Sequence, residues 1–379
     1  MQRYAAFEPR EYVGWSRNED TVRASRATLE ADPARTAAIR ALPRERLLEL
    51  YRGLVRNRLT DIALTRLVRQ GVISKAWLGT GEEATTIGPV HALRRARAPG
   101  GPAGNAGGDV VGPMIRNAGA CHEMGMPVAD ILRAYMATGD GPNGGRDGHY
   151  GALGTGVLPP ISHVGDIVPV ITGIALSFRM RGLDSVALTW IGDGSTKAGV
   201  AHEGLNFAAV QRVPAIFIIQ NNQVALGTRL EQHHLAAGGR NFADWPRAYG
   251  MWGGVFDGNN VLDAYALTSL AVERCRRGDG PALLVAETFR MAGHATHDEA
   301  EARRTFAAEQ FTEWGTRDPV ALYEEYLLGE DVSRETLSGI EGEVRAEVER
   351  AEEDAIASRH AQMPGAESAI AGVYADGRE

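Results

Sequence analysis

The chain has 379 residues, enough to bury a large core as one α/β domain with extensions or as two domains. Its formal charge of −8 argues against nucleic acid as the main partner, and two cysteines without CxxC spacing, Cys121 and Cys275, argue against a disulfide framework or a zinc site. No apolar run approaches the roughly 20 residues that span a bilayer, and the N-terminal stretch lacks a secretory pattern, so a soluble, cytoplasmic protein is expected.

Residues 1–43 are polar, Arg-rich and weakly periodic, and read as an extended N-terminal arm. From Arg44 to Gln70 apolar residues recur at helical spacing (Leu47, Leu50, Leu54, Val55, Leu59, Ile62, Val68), and Gly71 ends the helix. Glu82–Arg95 predicts a second helix, and Ala98–Gly108 reads as an inserted loop by composition. From Val186 the pattern alternates. Strand Val186–Ile191, helix Val200–Val210 and strand Ala215–Ile219 precede a long loop, Gly227–Asp244. A short strand near Val255, helix Val261–Arg276 and strand Ala282–Glu287 follow. Strands separated by helices predict an α/β fold, a doubly wound parallel sheet flanked by helices, over residues 44–330. Residues 331–379 read as a C-terminal helical extension with a charged helix at Glu341–Ser358, and no internal repeat is found.

Gly-Asp-Gly occurs three times, and context separates the copies. Gly139-Asp140-Gly141 runs into a turn cluster, and Gly278-Asp279-Gly280 reads as a helix stop before Pro281. Only Gly192-Asp193-Gly194 follows a strand, precedes a helix and is answered by Asn221-Asn222 at the end of the next strand. Parallel neighbours lie roughly 4.8 Å apart with their C-terminal ends facing the same way. Asp193 and Asn222 can then share one Mg²⁺, an ion that prefers oxygen ligands and commonly bridges to phosphates. The glycines suit a sharp turn and a diphosphate approaching main-chain N–H groups.

The spacing from Gly192-Asp193-Gly194 to Asn221-Asn222 resembles the thiamine diphosphate motif. The stretch IGDGSTKAGVAHEGLNFAAVQRVPAIFIIQNN resembles the α subunit of the decarboxylating component of 2-oxo acid dehydrogenase complexes. The likeness runs from about Leu47 to about Pro319 and includes GTGEEATTIG (Gly79–Gly88), GRDGHYG (Gly145–Gly151), ISHVGDIVP (Ile161–Pro169) and FRMAGHATHDEAEARRTF (Phe289–Phe306). It implies that Asp193, the Asn222 side chain and the main-chain carbonyl of Val224 hold Mg²⁺, with the diphosphate against Gly192, Gly194 and Ser195. Arg116 matches a diphosphate-binding arginine, a role that suits bidentate contacts. Ile115 stands where relatives usually carry tyrosine, so one phosphate hydrogen bond is expected to be missing. Gln220 and Arg290 fall at positions that contact the cofactor, and main-chain groups at Ser162 and Val164 are implied at the aminopyrimidine. His294 is implied at the active-site entrance, where an imidazole suits proton transfer near neutral pH. The polar loop Met291–Thr316 is expected to order on cofactor binding and to meet the lipoyl carrier.

Two departures stand out. Lys197 and Ala198 replace a Ser-Glu pair common in relatives, and Ala295 replaces the serine that animal relatives phosphorylate. The glutamate needed on the N1′ side of the aminopyrimidine comes from a second domain in such enzymes, and the residues after the cofactor domain are too few for one. A separate β subunit is therefore implied, in a heterotetramer of two α and two β chains. The reading is an α subunit that, with its β partner, decarboxylates a small 2-oxo acid and reductively acylates a lipoyl-bearing acyltransferase component. GRDGHYG leans toward the branched-chain type over the pyruvate type. Acetoin dehydrogenase is the near alternative; a non-catalytic cofactor-binding assembly subunit and a generic α/β nucleotide binder are alternatives of other classes.

Overall fold

Three sequence runs, ALTWIG, AIFIIQN and ALLVAE, are apolar at almost every position, which only a strand covered on both faces tolerates. In the computed structural model, which describes residues 17–95, 108–234 and 242–370, they form the centre of a five-stranded sheet. The strands are β1 (Val110–Gly112), β2 (Ala187–Gly192), β3 (Ala215–Asn221), β6 (Trp252–Asp257) and β7 (Ala282–Glu287), ordered β1-β2-β3-β7-β6 and all parallel. Two short strands, β4 (Val224–Ala225) and β5 (Thr228–Arg229), make an antiparallel hairpin just past β3.

The helices, in chain order, begin with α1 (Glu19–Glu30), α2 (Pro33–Arg40), α3 (Arg44–Arg69) and α4 (Glu83–His91). Next come α5 (Ala118–Glu123), α6 (Val128–Met136), α7 (Ile167–Met180), α8 (Gly199–Val210), α9 (Leu230–His233) and α10 (Trp245–Ala248). They end with α11 (Val261–Arg276), α12 (Glu299–Thr305), α13 (Ala308–Gly315), α14 (Pro319–Gly329) and α15 (Arg334–Ala361). Successive strand side chains alternate between faces. Leu188, Trp190, Ile216, Ile218 and Leu284 pack in a core with residues of α4, α5 and α11. Ala187, Ile191, Phe217, Ile219 and Val285 pack with residues of α7 and α8. Helices therefore cover both faces, as the alternation predicts.

Three expectations need correction. The region read as an extended arm contains two capped helices: Asn18 and Asp32 each accept two backbone N–H bonds at the starts of α1 and α2. Arg35 of α2 ties them to the sheet layer, bonding Asp263 Oδ1 at 2.7 Å and the Val255 carbonyl at 2.8 Å. The charged C-terminal helix is longer than expected, running Arg334–Ala361, and its Leu337, Ile340, Val344, Val348 and Ala355 join one core with Leu50, Leu54 and Leu64 of α3. The stretch 291–316 holds α12 and α13, with Phe306, Phe311 and Trp314 packed around Phe289. The loop expected at Ala98–Gly108 lies outside the described residues except for Gly108, and the long loop expected at Gly227–Asp244 is described only to His234, where it holds β5 and α9, and from Phe242.

Candidate functional site

The register settles the central juxtaposition. Gly192, the last residue of β2, pairs with Gln220 of β3, so Asp193 and Asn222 leave adjacent parallel strands at their C-terminal ends. Asp193 is 2 % exposed and Asn222 is 4 % exposed. Each keeps one oxygen without a hydrogen-bond partner, Oδ2 of Asp193 and Oδ1 of Asn222. Buried polar atoms are almost always paired, so two orphans on neighbouring strand ends mark a ligand position.

Glu82 orders this end of the sheet. It is 1 % exposed, just before α4, and its Oε1 accepts Gln220 Nε2 at 2.7 Å and Asn222 Nδ2 at 2.9 Å. With its NH₂ committed to a carboxylate, the Asn222 carboxamide must present its oxygen elsewhere. Gln220 is fixed from the other side, its Oε1 accepting Asn117 Nδ2 at 3.0 Å. Burial, followed by the nearby Glu82 charge, pushes the Asp193 carboxyl up to about 6; the Gly194 backbone N–H and Arg290 act in the opposite direction.

The turn after Asp193 winds into a 3₁₀ turn, Gly194–Lys197, and α8 starts at Gly199, one residue before the start read from the sequence. A side-chain carbon on Gly194 would fall 2.4 Å from Ala225 Cβ. Only glycine lets the β4 hairpin close against the Asp193 turn, which brings Val224, 2 % exposed, into the site. That hairpin is strained: Gln223 has φ +73° and Leu226 φ +55°, both left-handed for non-glycine residues. Arg290 helps to hold it, donating from Nη2 to the Leu226 carbonyl at 2.7 Å, while the Arg290 N–H bonds the Asn222 carbonyl at 3.2 Å.

Arg116 and His294 close one side. Arg116, 6 % exposed, donates from Nη1 to the Leu78 carbonyl at 3.0 Å. Its Nη2 reaches the His294 carbonyl at 3.3 Å and His294 Nδ1 at 3.4 Å. A guanidinium only donates, so Nδ1 accepts and the imidazole carries its proton on Nε2. Burial, then the Arg116 and Arg290 charges, lower the His294 pKa to about 4.

Residues 51–363 match the dehydrogenase E1 component family. The chain belongs to that family. It is 32 % identical over 336 residues to a protein of Bacillus subtilis named 2-oxoisovalerate dehydrogenase subunit alpha, covering 86 % of this chain and 95 % of the relative. It is 33 % identical over 289 residues to the 3-methyl-2-oxobutanoate dehydrogenase subunit alpha of Mycobacterium tuberculosis, covering 76 % and 72 %. It is 31 % identical over 309 residues to the pyruvate dehydrogenase E1 component subunit alpha of Acholeplasma laidlawii, covering 81 % and 83 %. The resemblance to α subunits of 2-oxo acid dehydrogenases, an oxidoreductase class, is thus borne out. The family match also extends past Pro319 into α15, in keeping with the packing of that helix.

Within this E1 component chain, the structure gathers Gly192, Asp193, Gly194, Gln220, Asn222, Val224, Arg290, Arg116 and His294 by the contacts above. Ser195 is half-buried in the 3₁₀ turn, and Ile115 contributes its carbonyl to the Tyr150 hydroxyl. Ser162 and Val164 lie on an exposed turn, Val164 at 63 %, and Ser162 Oγ bonds His149 Nε2 at 2.8 Å. That turn abuts the start of α8, since a side-chain carbon on Gly165 would meet Ala198 Cβ at 3.0 Å. Lys197 engages a ring cluster. Its Nζ bonds His234 Nδ1 at 2.9 Å and sits 5.3 Å from the Phe242 ring centroid and 5.5 Å from that of Trp245.

No cluster of three or more His, Cys, Asp or Glu side chains able to hold a metal occurs among the described residues. The donors here are of another kind, one carboxylate, one carboxamide and backbone, and the two orphaned oxygens fit a hard dication. Sequence reasoning missed Glu82, whose role only the fold separates from that of Glu83. It also missed His233, whose Nε2 lies 3.5 Å from Asp193 Oδ2 and for which the sequence carries no signal.

Proposed function

We propose that this chain is the α subunit of a thiamine diphosphate- and Mg²⁺-dependent 2-oxo acid dehydrogenase, acting with a β subunit in an α₂β₂ heterotetramer. The observation that carries this reading is the pair of buried, unpartnered oxygens of Asp193 and Asn222 on adjacent strand ends. The sheet belongs to the doubly wound, thiamine diphosphate-binding type. Asp193, Asn222 and the Val224 carbonyl hold the metal, and the turn Gly192–Ser195 with Arg116 and Gln220 receives the diphosphate. When bound, thiamine diphosphate supplies the nucleophile and electron sink that decarboxylation of a 2-oxo acid requires. Arg116 and Arg290 offset the diphosphate charge, and neutral His294 offers an N–H at the mouth of the site for proton transfer.

A partner is favoured by α7. Its sequence, IVPVITGIALSFRM, is apolar nearly all round, yet Val170 is 39 % and Met180 79 % exposed. Phe207 and Val210 of the adjoining α8 are exposed as well. A helix apolar on every side is ordinarily covered. The β subunit is the proposed cover and the proposed source of the glutamate for the aminopyrimidine, with the α12–α13 segment facing a lipoyl-bearing acyltransferase. The GRDGHYG block favours a branched-chain 2-oxo acid, while relatives of about 30 % identity carry both branched-chain and pyruvate names.

Co-purified with its β subunit, the chain should bind thiamine diphosphate only with a divalent metal present and then consume a 2-oxo acid. Asn222→Ala should weaken cofactor binding at least tenfold while leaving unfolding of the cofactor-free protein unchanged. Metal-independent binding that tolerates both Asn222→Ala and Asp193→Ala would sink the reading.

A further inference from the structure

His233 closes α9, immediately beside the turn that carries Asp193. Its side chain is 13 % exposed, yet both ring nitrogens are buried and neither has a hydrogen-bond partner. Nε2 stands 3.5 Å from Asp193 Oδ2, which is also unpartnered. The pair does not make a hydrogen bond, and the gap is close to that between two ligands of one cation. Donors at about 2.0–2.1 Å, subtending 90–110°, lie roughly 2.8–3.4 Å apart. The Asn222 Oδ1 orphan lies on the neighbouring strand end, oriented by Glu82.

Lys197 gives its Nζ to His234 Nδ1 and to the Phe242 and Trp245 faces.

We propose that His233 is a nitrogen ligand of the metal held by Asp193 and Asn222, so that the site proposed above for Mg²⁺ also takes a first-row transition-metal dication such as Mn²⁺, with its selectivity tilted toward that ion. Imidazole suits transition metals, whereas Mg²⁺ demands oxygen ligands, so one histidine among oxygen donors tilts selectivity. The inference rests on the cofactor reading above and adds to it the chemistry of the ion.

The test uses the full chain with its β subunit, stripped with chelator and titrated with Mn²⁺ or Mg²⁺ in the presence of thiamine diphosphate. Pulsed electron paramagnetic resonance of the Mn²⁺ form should show coupling to an imidazole ¹⁴N in the unsubstituted protein. His233→Gln should abolish that coupling and reduce the Mn²⁺-to-Mg²⁺ affinity ratio about tenfold. Mn²⁺ bound with no imidazole coupling, and a ratio unchanged in H233Q, overturns the nitrogen ligand while leaving the cofactor reading intact. Absence of any thiamine diphosphate-dependent metal binding overturns both.

Discussion

Glu82 decides what the donor atoms around it can do. Its Oε1 takes the amide hydrogens of Gln220 and Asn222, and its Oε2 lies 3.5 Å from Arg116 Nη1. Without that carboxylate the Asn222 carboxamide is free to rotate and offer NH₂ where oxygen is needed. Outer residues that orient metal ligands typically contribute 10–100-fold in affinity. Glu82→Ala is therefore expected to weaken metal-dependent cofactor binding about 10–100-fold, read by titration calorimetry; an unchanged affinity would remove Glu82 from the site. His294 gives a second prediction at this scale. Burial, then Arg116 and Arg290, with His297 adding and Asp298 opposing, holds its pKa near 4. Above the ordinary histidine value both folded and unfolded chains carry it neutral. As pH falls from there toward 4 only the unfolded chain takes up the proton, so stability is lost across that window. His122, also lowered to about 4 by burial, acts in the same direction. The His294 ring resonances, assigned through His294→Gln, should stay put between about pH 8 and 5.5; titration near the ordinary value would contradict the Arg116 contact. Asp193 and Asn222 were legible because each ends an uninterrupted apolar strand. Glu82 was not, because two adjacent glutamates have identical local chemistry. Only the fold sends Glu83 to Arg58 and the Gly81 N–H, and Glu82 to Gln220 and Asn222.

Among the elements, α4 places Glu82 and is itself placed by close contact. A side-chain carbon at Gly88 would fall 2.6 Å from the Val261 carbonyl and 2.8 Å from Ala264 Cβ, so α4 and α11 meet backbone to backbone. Gly88→Ala should drive the two helices apart. Overpacking of this kind costs about 1–3 kcal/mol, which denaturant unfolding can measure, and weakened cofactor binding should follow from the displaced Glu82. The same helix is tied to α3 and α14 by charge. Arg58, 2 % exposed, bonds Glu83 Oε1 through Nε and Asp318 Oδ2 at 2.8 Å. Removing one member leaves a buried charge uncompensated, so Arg58→Leu should destabilise the fold by about 3–5 kcal/mol; a loss under 1 kcal/mol would show that water reaches the pair. At this scale legibility followed amphipathicity. Helix α3 shows a clean helical period and was read almost to its ends, as were α11 and β7. Helix α7 went unread because Pro169, Gly173 and apolar residues on every side leave no period, and β1 because three residues carry no pattern.

Over the described residues, α1 and α2 at one end and α15 at the other close on the same core while one surface stays apolar. Leu337, Val344 and Val348 of α15 are buried against α3, so this charged helix is a structural wall. The apolar surface lies elsewhere, on α7 and the adjoining α8, where Met180, Phe207 and Val210 are each about half exposed or more. Helix α7 follows directly on the turn bearing Ser162 and Val164, and that turn touches the start of α8. The apolar surface is therefore continuous with the Ser162–Val164 turn, and under the proposed function the β subunit sits there. A partner docked there buries Val164 and the outer faces of α7 and α8 together. Phe207→Glu places a charge in the middle of that contact and touches nothing in the cores, so the chain should fold as before. Its complex with the β subunit should dissociate by size-exclusion chromatography, with turnover lost in proportion, while Asp193 and Asn222 remain able to bind metal. A stable, fully active complex carrying Phe207→Glu would move the interface off this surface. Self-association of the isolated chain that the same substitution abolishes would assign the surface to a second copy of the chain instead.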